Sequence, residues 1–207
     1  AVVNDDLALL WMANMGCIDL HTWASRVDKP ERPDWVMFDL DPSEGSSFEE
    51  EIQVGLLVKQ TLDLLELESC PKTSGSRGIH VLVPIARRHT HDEARAFAEI
   101  VAGALRRSHP DLVTGEWARA KRHGTLIDVN QNGAGRTTAM AYSVRPRAGA
   151  PVSTPLRWGE VNESRAPRNY TIRNAVERLD RLGADPCLPV IEMQPDLGLV
   201  LEKLGKK

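Results

Sequence analysis

Two aspartates separated by a single residue give the clearest chemical signal in this sequence. Asp39 and Asp41 close an apolar stretch that begins at Trp35, and Pro42 and a Ser-Glu-Gly turn follow them. The aromatic and β-branched content predicts a strand, in which alternate side chains share a face. Two carboxylates this close repel each other unless a cation keeps both ionised. Hard divalent ions such as Mg²⁺ and Mn²⁺ prefer oxygen ligands, so the pair is a candidate metal site.

Three other interpretations of the aspartate pair compete with this one, and the second of them fails on its spacing. Aspartates at the end of a strand are often only turn formers. The spacing also places Asp39, Asp41, Ser43 and Glu50 at positions one, three, five and twelve of an EF-hand loop, but Gly45 comes one place late and a strand precedes the loop. A phosphohydrolase with Asp39 as nucleophile and Asp41 as general acid remains open on these residues.

A second chemical segment runs from Lys72 to Pro84. A basic turn of small residues leads into an apolar strand, and Gly75 and Gly78 let the backbone approach a ligand with its N–H groups exposed. Arg77 adds positive charge and Ser74 a hydroxyl. This composition is typical of a phosphate site, although an ordinary hairpin turn would look similar.

A third segment combines basic residues with another aspartate. The run from Arg119 to His123 leads into an apolar stretch that ends at Asp128, and a glycine-rich turn follows. Such a basic run is usually a solvated turn. Upstream, Ile18 to Trp23 alternates apolar and polar residues, which predicts a strand with His21 and Asp19 on one face. A lone strand histidine is usually structural.

Helices are predicted around these segments. Capping boxes at Ser47 and Thr90 start helices that run to about Leu65 and about Arg107. Apolar spacing predicts a helix from Asn4 to Met15, with Leu7, Leu10 and Trp11 on one side. It predicts a second helix from Thr171 to Leu182 that ends at Gly183 and points Ile172, Ala175, Val176 and Leu179 inward. A third, short helix is predicted from Leu197 to Leu204. We expect His89, His91 and His109 on the surface because they flank helix ends.

The overall composition is that of a globular protein of one large or two small domains. Of 207 residues, 42% are hydrophobic and 27% are charged, and no apolar run is as long as a membrane span. The net charge of −3 gives no global signature of nucleic-acid binding, so such contacts need a local patch. Cys17, Cys70 and Cys187 are odd in number and far apart in the chain, which favours a reduced, cytoplasmic protein without structural zinc.

Taken together, the segments resemble the primase-polymerase domain attached to bacterial DNA ligase D, within the archaeo-eukaryotic primase superfamily. The matching blocks occur in the right order over most of residues 7 to 160. They are Leu20 to Trp23, Asp34 to Pro42, Lys72 to Pro84, Ile127 to Asn132, Tyr142 to Arg145, Gly149 to Ser153 and Pro155 to Trp158.

The resemblance implies a fold, an activity and a set of site residues. The fold is α/β (α+β), with a central, largely antiparallel, RRM-like sheet flanked by helices and carboxylates at one edge of the sheet. Asp39, Asp41 and Asp128 would be the catalytic, metal-binding carboxylates of a template-directed nucleotidyl transferase. Two Mn²⁺ or Mg²⁺ ions about 3.5–4 Å apart would align the primer hydroxyl and stabilise the leaving pyrophosphate. His21, Ser74, Arg77, His80 and Arg145 would bind the nucleotide.

The same resemblance implies partners and a biological role. The partners would be primer-template DNA or broken DNA ends, nucleoside triphosphates with a preference for ribonucleotides, and ligase and end-binding repair proteins, with no membrane. The setting would be end-joining repair of double-strand breaks in the cytoplasm, at the nucleoid. The alternatives are a metal-dependent phosphohydrolase with Asp39 as nucleophile and a non-catalytic nucleic-acid-binding remnant.

Two departures from the family pattern affect these expectations. Val129 stands where the family often has tyrosine. The chain also begins shortly before the His21 block, so we expect residues 1–207 to form an N-terminally short catalytic domain. Without the family's 5′-phosphate-binding segment, we expect weak DNA binding and poor discrimination of 5′-phosphorylated gaps.

Overall fold

The protein is built on a five-stranded sheet, seen in a computed structural model that describes residues 1–161 and 169–204. The strands are β2 (Trp35–Pro42), β3 (Cys70–Thr73), β4 (Ile79–Pro84), β5 (Val113–Thr114) and β6 (Thr125–Asp128), in the spatial order β3-β4-β2-β6-β5. All neighbours pair antiparallel except β5 and β6, which are parallel. Strands β1 (His21–Trp23) and β7 (Thr137–Ala139) form a separate two-stranded sheet.

Helices surround this sheet. The described ones are α1 (Asp6–Asn14), α2 (Phe48–Leu64), α3 (His91–Ser108), α4 (Trp158–Val161), α5 (Ala175–Leu182), α6 (Leu188–Ile191) and α7 (Leu197–Lys203), with 3₁₀ turns at Arg119–Lys121 and Asn130–Asn132. The expected α/β class with a largely antiparallel sheet is confirmed. The carboxylates, however, do not lie on an edge strand, because β2 is the central strand of the sheet.

Strand β2 separates the hydrophobic core from the candidate site. Val36, Phe38 and Leu40 are fully buried in the core cluster that also includes residues of α2 and α3. Phe38 meets Phe97 of α3 edge to face, with 6.4 Å between ring centroids. Burying one such side chain stabilises the fold by roughly 1.5–3 kcal/mol. Because side chains alternate along a strand, Asp39 and Asp41 are left on the opposite face.

The two predicted capping boxes are present and set the starts of the long helices. In α2, Ser47 Oγ accepts from Glu50 N at 3.2 Å and Glu50 Oε2 accepts from Ser47 N at 3.1 Å. Thr90 and Glu93 make the same reciprocal contacts at the start of α3. These caps satisfy backbone donors that have no partner within the helix. The long helices therefore begin where the sequence predicted.

Other local predictions were wrong or only partly right. Only residues 21–23 of the predicted strand from Ile18 to Trp23 are extended. Helix α1 forms, but its apolar side does not pack: Leu7, Leu10 and Trp11 are 78%, 65% and 62% exposed. Helix α5 starts at Ala175, and it buries Ala175 and Arg178 rather than Ile172 and Val176. Gly183 ends this helix as predicted, with φ at +74°.

The expectation of surface histidines was wrong for His89 and His91, which are both buried. His91 Nδ1 lies 3.1 Å from the Asn132 carbonyl and Nε2 lies 3.0 Å from the Pro30 carbonyl. His89 Nε2 accepts from Leu197 N at 3.2 Å. The two rings therefore connect the start of α3 with the Pro30 loop, the Asn132 turn and the start of α7. A position near the start of a helix did not make these histidines exposed.

The expectation of three unpaired cysteines was wrong for two of them. Cys70 of β3 and Cys187, just before α6, form a disulfide across 117 positions of sequence, with their Cα atoms 5.5 Å apart. Cys17 is free and exposed. Within residues 1–161 and 169–204, no helix combines the length and apolar character needed to cross a bilayer.

Candidate active site

Three carboxylates meet on one face of the central strands. Asp39 and Asp41 lie two residues apart on β2, and Asp128, at the end of β6, is the direct register partner of Asp39. Directly paired residues in an antiparallel sheet have Cβ atoms about 4.5–5.5 Å apart, and like charges at such positions destabilise the sheet. Folding therefore brings together the three aspartates that the sequence singled out.

The row of paired residues continues across two further strands. His80 of β4 is opposite Asp39, and Lys72 of β3 is opposite His80. Lys72, His80, Asp39 and Asp128 thus form one lateral row across four strands. Lys72 is buried, and its Nζ donates to Ser153 Oγ at 2.7 Å. The Lys72 amine therefore lies at one end of the row and the carboxylates at the other.

Burial and the neighbouring carboxylates shift the pKa of Asp39. Burial, followed by the charges of Asp41 and Asp128, raises the pKa of Asp39 to about 7, while Lys72 and Arg145 oppose the rise. Burial also lowers the pKa of Lys72 to about 7, although the Asp39 charge acts in the other direction. The pKa of His80 lies well below its ordinary value, first because the ring is buried.

These donors fit a hard divalent cation, since a cation would relieve the repulsion that raises the pKa of Asp39. The three carboxylates do not form a closed ligand cage. Asp128 Oδ1 accepts from Asn130 N at 2.8 Å, and Asp39 Oδ1 lies 3.4 Å from His80 Nε2. Across the described ranges, 1–161 and 169–204, no group of three acidic, histidine or cysteine side chains is gathered around one point as metal ligands.

A cavity of about 340 Å³ opens beside the carboxylates. Seven of the eight predicted site residues line it: His21, Asp39, Asp41, Ser74, Arg77, His80 and Arg145. Asp128 is not among the lining residues, and its side chain is buried next to Asp39. The lining of the cavity therefore combines carboxylates with cationic and hydroxyl groups.

The turn between β3 and β4 forms part of the polar lining of the cavity. Ser74 Oγ accepts from the backbone N–H groups of Ser76 and Gly78, at 3.1 and 3.0 Å. A serine hydroxyl has two acceptor sites and one proton, so the Ser74 proton is left to donate. A Cβ on Gly78 would lie 2.3 Å from the Leu40 carbonyl oxygen, so the turn lies directly against β2. Arg77 is exposed at the tip of this turn.

Arg145 also contacts the turn between β3 and β4. Its Nη1 donates to the Ser74 carbonyl at 3.2 Å, and its Cγ occupies the space beside Gly75. At φ +67°, Gly75 adopts a conformation that other residues rarely adopt, and a Cβ there would lie 2.6 Å from Arg145 Cγ. Gly75 therefore allows the backbone conformation of the turn and leaves room for the Arg145 side chain.

The sequence did not identify several residues that shape this site. Gln131, Thr137, Thr138 and Arg147 also line the cavity. Asn132 is buried, and its side chain accepts a hydrogen bond from Met37 N and donates one to the Met37 carbonyl. The amide thus pairs with β2 at a position that β6 does not reach. The sequence predicted a glycine-rich turn that includes Thr137 and Thr138, but these two residues belong to β7. Their position in the site depends on long-range pairing with β1, which no local pattern reports.

The basic run from Arg119 to His123 is not simply a solvated turn. Arg122 is nearly buried: it donates to the carbonyls of Glu116, Trp117 and Asp41, and its Nη1 lies 4.0 Å from Asp41 Oδ2. This guanidinium therefore holds its loop against the end of β2. It is not free to contact nucleic-acid phosphates in this conformation.

Sequence comparisons point to one family. The chain matches the family described as LigD, primase-polymerase domain, over residues 1–187. It is 36% identical over 179 residues to the multifunctional non-homologous end joining protein LigD of Pseudomonas aeruginosa, covering 86% of this chain and 21% of that protein. It is 31% identical over 210 residues to the bifunctional LigD of Bacillus subtilis, covering 100% of this chain and 34% of that protein. The chain thus spans between a fifth and a third of these relatives.

A solved structure agrees with this assignment. The polymerase domain from Mycobacterium tuberculosis ligase D, in complex with DNA, superimposes with a TM-score of 0.84 at 26% identity. The match covers 94% of this chain and 70% of that one. Together with the carboxylate face and the cavity beside it, these similarities establish that the chain belongs to the LigD primase-polymerase domain family.

Proposed function

We propose that this chain catalyses template-directed nucleotidyl transfer, adding nucleotides to a DNA primer or broken end during non-homologous end joining. One observation supports this most strongly. Three carboxylates on adjacent central strands lie beside a cavity that is also lined by Ser74, Arg77 and Arg145. A nucleoside triphosphate needs both sets of groups. Its phosphates require fixed donors and cations, and its reacting centre requires metal bound by carboxylates.

Each group has a proposed part in the reaction. Asp39, Asp41 and Asp128 would hold divalent ions, Mn²⁺ or Mg²⁺. When bound, these ions would activate the primer hydroxyl and neutralise charge on the leaving pyrophosphate. Ser74 offers its remaining hydroxyl proton, Arg77 an exposed guanidinium, and Arg145 a guanidinium fixed beside the turn. Neutral His80 lines the cavity and lies between Lys72 and Asp39 in the row of paired residues.

The relatives provide the biological setting of the proposal. Those described above are named as end joining proteins, and the similar solved structure is a polymerase domain bound to DNA. We extend these properties to this chain, with DNA ends and nucleoside triphosphates as substrates and a preference for ribonucleotides. A ligase and end-binding repair proteins would be its partners at the nucleoid.

Primer extension tests the proposal. A labelled primer-template is incubated with the protein, Mn²⁺ or Mg²⁺, and either ribo- or deoxyribonucleoside triphosphates. The wild-type chain should extend the primer according to the template, more readily with ribonucleotides. Asp39→Asn and Asp128→Asn should lower the rate at least a hundredfold, the scale on which removing a catalytic electrostatic group acts.

A matched control is available on the surface. Asp92 is 90% exposed at the start of α3, so Asp92→Asn should extend primers like the wild type. Extension that survives Asp39→Asn would contradict the proposal. Release of inorganic phosphate without extension would favour the phosphohydrolase with Asp39 as nucleophile, and DNA binding without either reaction would favour a non-catalytic binding module.

A further inference from the structure

Asp19 lies behind two residues of the proposed nucleotide site. Its Oδ1 is 3.2 Å from His21 Nε2 and 3.1 Å from Arg145 Nε. His21 and Arg145 both line the cavity, whereas Asp19 does not. One carboxylate thus contacts two candidate ligand-binding side chains without lining the cavity itself.

The contact with Asp19 determines which nitrogen of His21 faces a ligand. An ionised carboxylate only accepts hydrogen bonds, so Nε2 of His21 has to carry a proton to donate to it. A ring held in this way has Nδ1 as its remaining nitrogen. In the neutral ring Nδ1 is an acceptor, and in the protonated ring it is a donor. Asp19 therefore selects the tautomer that His21 presents.

Arg145 is held from two directions by Asp19 and the β3–β4 turn. Its Nε lies 3.1 Å from Asp19 Oδ1 in an ion pair that lacks hydrogen-bond geometry, and its Nη1 donates to the Ser74 carbonyl at 3.2 Å. The side chain is only 16% exposed. A guanidinium presents its donors in a fixed plane, so two contacts on one side determine where the remaining donors point.

The backbone around Asp19 is anchored to the segment that carries Arg145. Leu20 N donates to Ser143 Oγ at 2.7 Å, and Met140 N donates to the Leu20 carbonyl at 3.0 Å. Asp19 thus lies two residues before β1, while Ser74 belongs to the turn of the main sheet. The contacts from Asp19 through Arg145 to Ser74 connect the segment before β1 with that turn.

We infer that Asp19 is a positioning residue for the incoming nucleotide: it fixes the tautomer of His21 and the orientation of Arg145 before the triphosphate binds. This inference rests on the proposed nucleotidyl transfer. Asp19 acts through its two neighbours and does not touch the nucleotide, because an unshielded carboxylate beside a triphosphate would repel it. Preorganised donors bind a ligand more tightly because less ordering remains to be done on binding.

Substitution of Asp19 tests the inference in the intact chain. Asp19→Asn keeps the shape but removes the charge, and it should raise KM for the nucleotide about tenfold while kcat stays within about twofold. A tenfold effect corresponds to about one charge-assisted hydrogen bond. Asp19→Glu should restore most of the affinity. Partial unfolding would instead lower kcat in proportion to the inactive fraction and leave KM unchanged.

A second measurement does not depend on activity. Nitrogen-15 NMR of the histidine rings, with the His21 signals identified from a His21→Gln variant, should show Nε2 protonated in the wild type and a mixture of tautomers in Asp19→Asn. Asp92→Asn serves as the control and should change neither readout. A wild-type chain without polymerase activity would refute the proposed function, while the ring spectrum would still decide the role of Asp19. An unchanged KM, or the same His21 tautomer in Asp19→Asn as in the wild type, would overturn the inference.

Discussion

At the scale of single residues, a second buried carboxyl group lies close to the site on the core side of the sheet. Glu51 of α2 is 1% exposed, and burial raises its pKa to about 9, with further increases from the charges of Asp39 and Asp41. A hydrogen bond from the Ile79 backbone opposes this rise. Glu51 is therefore a neutral acid at pH 7, although the helix surface pattern gives no hint of it.

The raised pKa of Glu51 predicts how stability changes with pH. A protonated Glu51 contributes stability that is fully present below about pH 4.5 and is lost as the pH rises through about 9. Glu51→Gln cannot ionise, so its free energy of unfolding relative to the wild type should increase with pH. The expected change is on the order of 1 kcal/mol per pH unit between pH 5 and 8.

Urea unfolding at several pH values measures this difference. Glu177→Gln is the control, because Glu177 is 76% exposed on α5 and its substitution should give a nearly constant difference. A Glu51→Gln difference that is flat across this pH range would show that the carboxyl ionises as readily in the folded chain as in the unfolded one.

At the scale of elements, the β3–β4 turn and β2 are held together by a close backbone contact. Gly78 has no room for a side chain, since an added Cβ would lie 2.3 Å from the Leu40 carbonyl oxygen. The neighbour is backbone in the central strand, so it cannot move aside easily. This contact fixes Ser74 and Arg77 relative to Asp39 and Asp41.

Gly78→Ala should therefore separate the turn from the strand. We expect a loss of about 1–3 kcal/mol in the free energy of unfolding, the usual cost of overpacking, together with weaker nucleotide binding. Gly45→Ala is the matched control, because nothing lies within 4 Å of a Cβ at that position. Chemical denaturation and nucleotide titration of both variants give the comparison. Equal stability of the two variants would contradict the close contact.

The local elements also show which features a sequence can predict. Strand alternation was enough to place Asp39 and Asp41 on one face, and the capping boxes gave the starts of α2 and α3. Spacing could not place Asp128 opposite Asp39, because strand register depends on pairing across the whole sheet, and only the family resemblance suggested it. The apolar spacing of Ile172 and Val176 was misleading because α5 packs through Ala175 and Arg178 instead.

At the scale of the whole molecule, a covalent link connects β3 with the C-terminal helices. The Cys70–Cys187 disulfide closes a loop of 117 positions, and α7 beyond it buries Leu197 and Val200 in the core. Residues separated by most of the chain are thus neighbours in the fold. Cysteine count and spacing gave no indication of this, because distance along a chain does not report distance in space.

Reducing this disulfide should destabilise the protein. Closing a loop of roughly 100 residues lowers the entropy of the unfolded chain by an amount worth up to about 4.7 kcal/mol. The midpoint of urea unfolding should therefore fall in dithiothreitol and in Cys70→Ser with Cys187→Ser. Cys17→Ser is the control, since Cys17 is free and exposed. An unchanged midpoint on reduction would show that the link contributes nothing to stability in solution.

We propose above all that Asp39, Asp41 and Asp128 form one divalent-ion site beside the cavity lined by Ser74, Arg77 and Arg145. Crystals of the chain grown with MnCl₂ and a non-hydrolysable ribonucleoside triphosphate, measured at the manganese absorption edge, test it most directly. We expect anomalous density held by these three carboxylates and phosphates beside Ser74, Arg77 and Arg145. Manganese bound elsewhere, or a nucleotide bound away from this cavity, would contradict the claim.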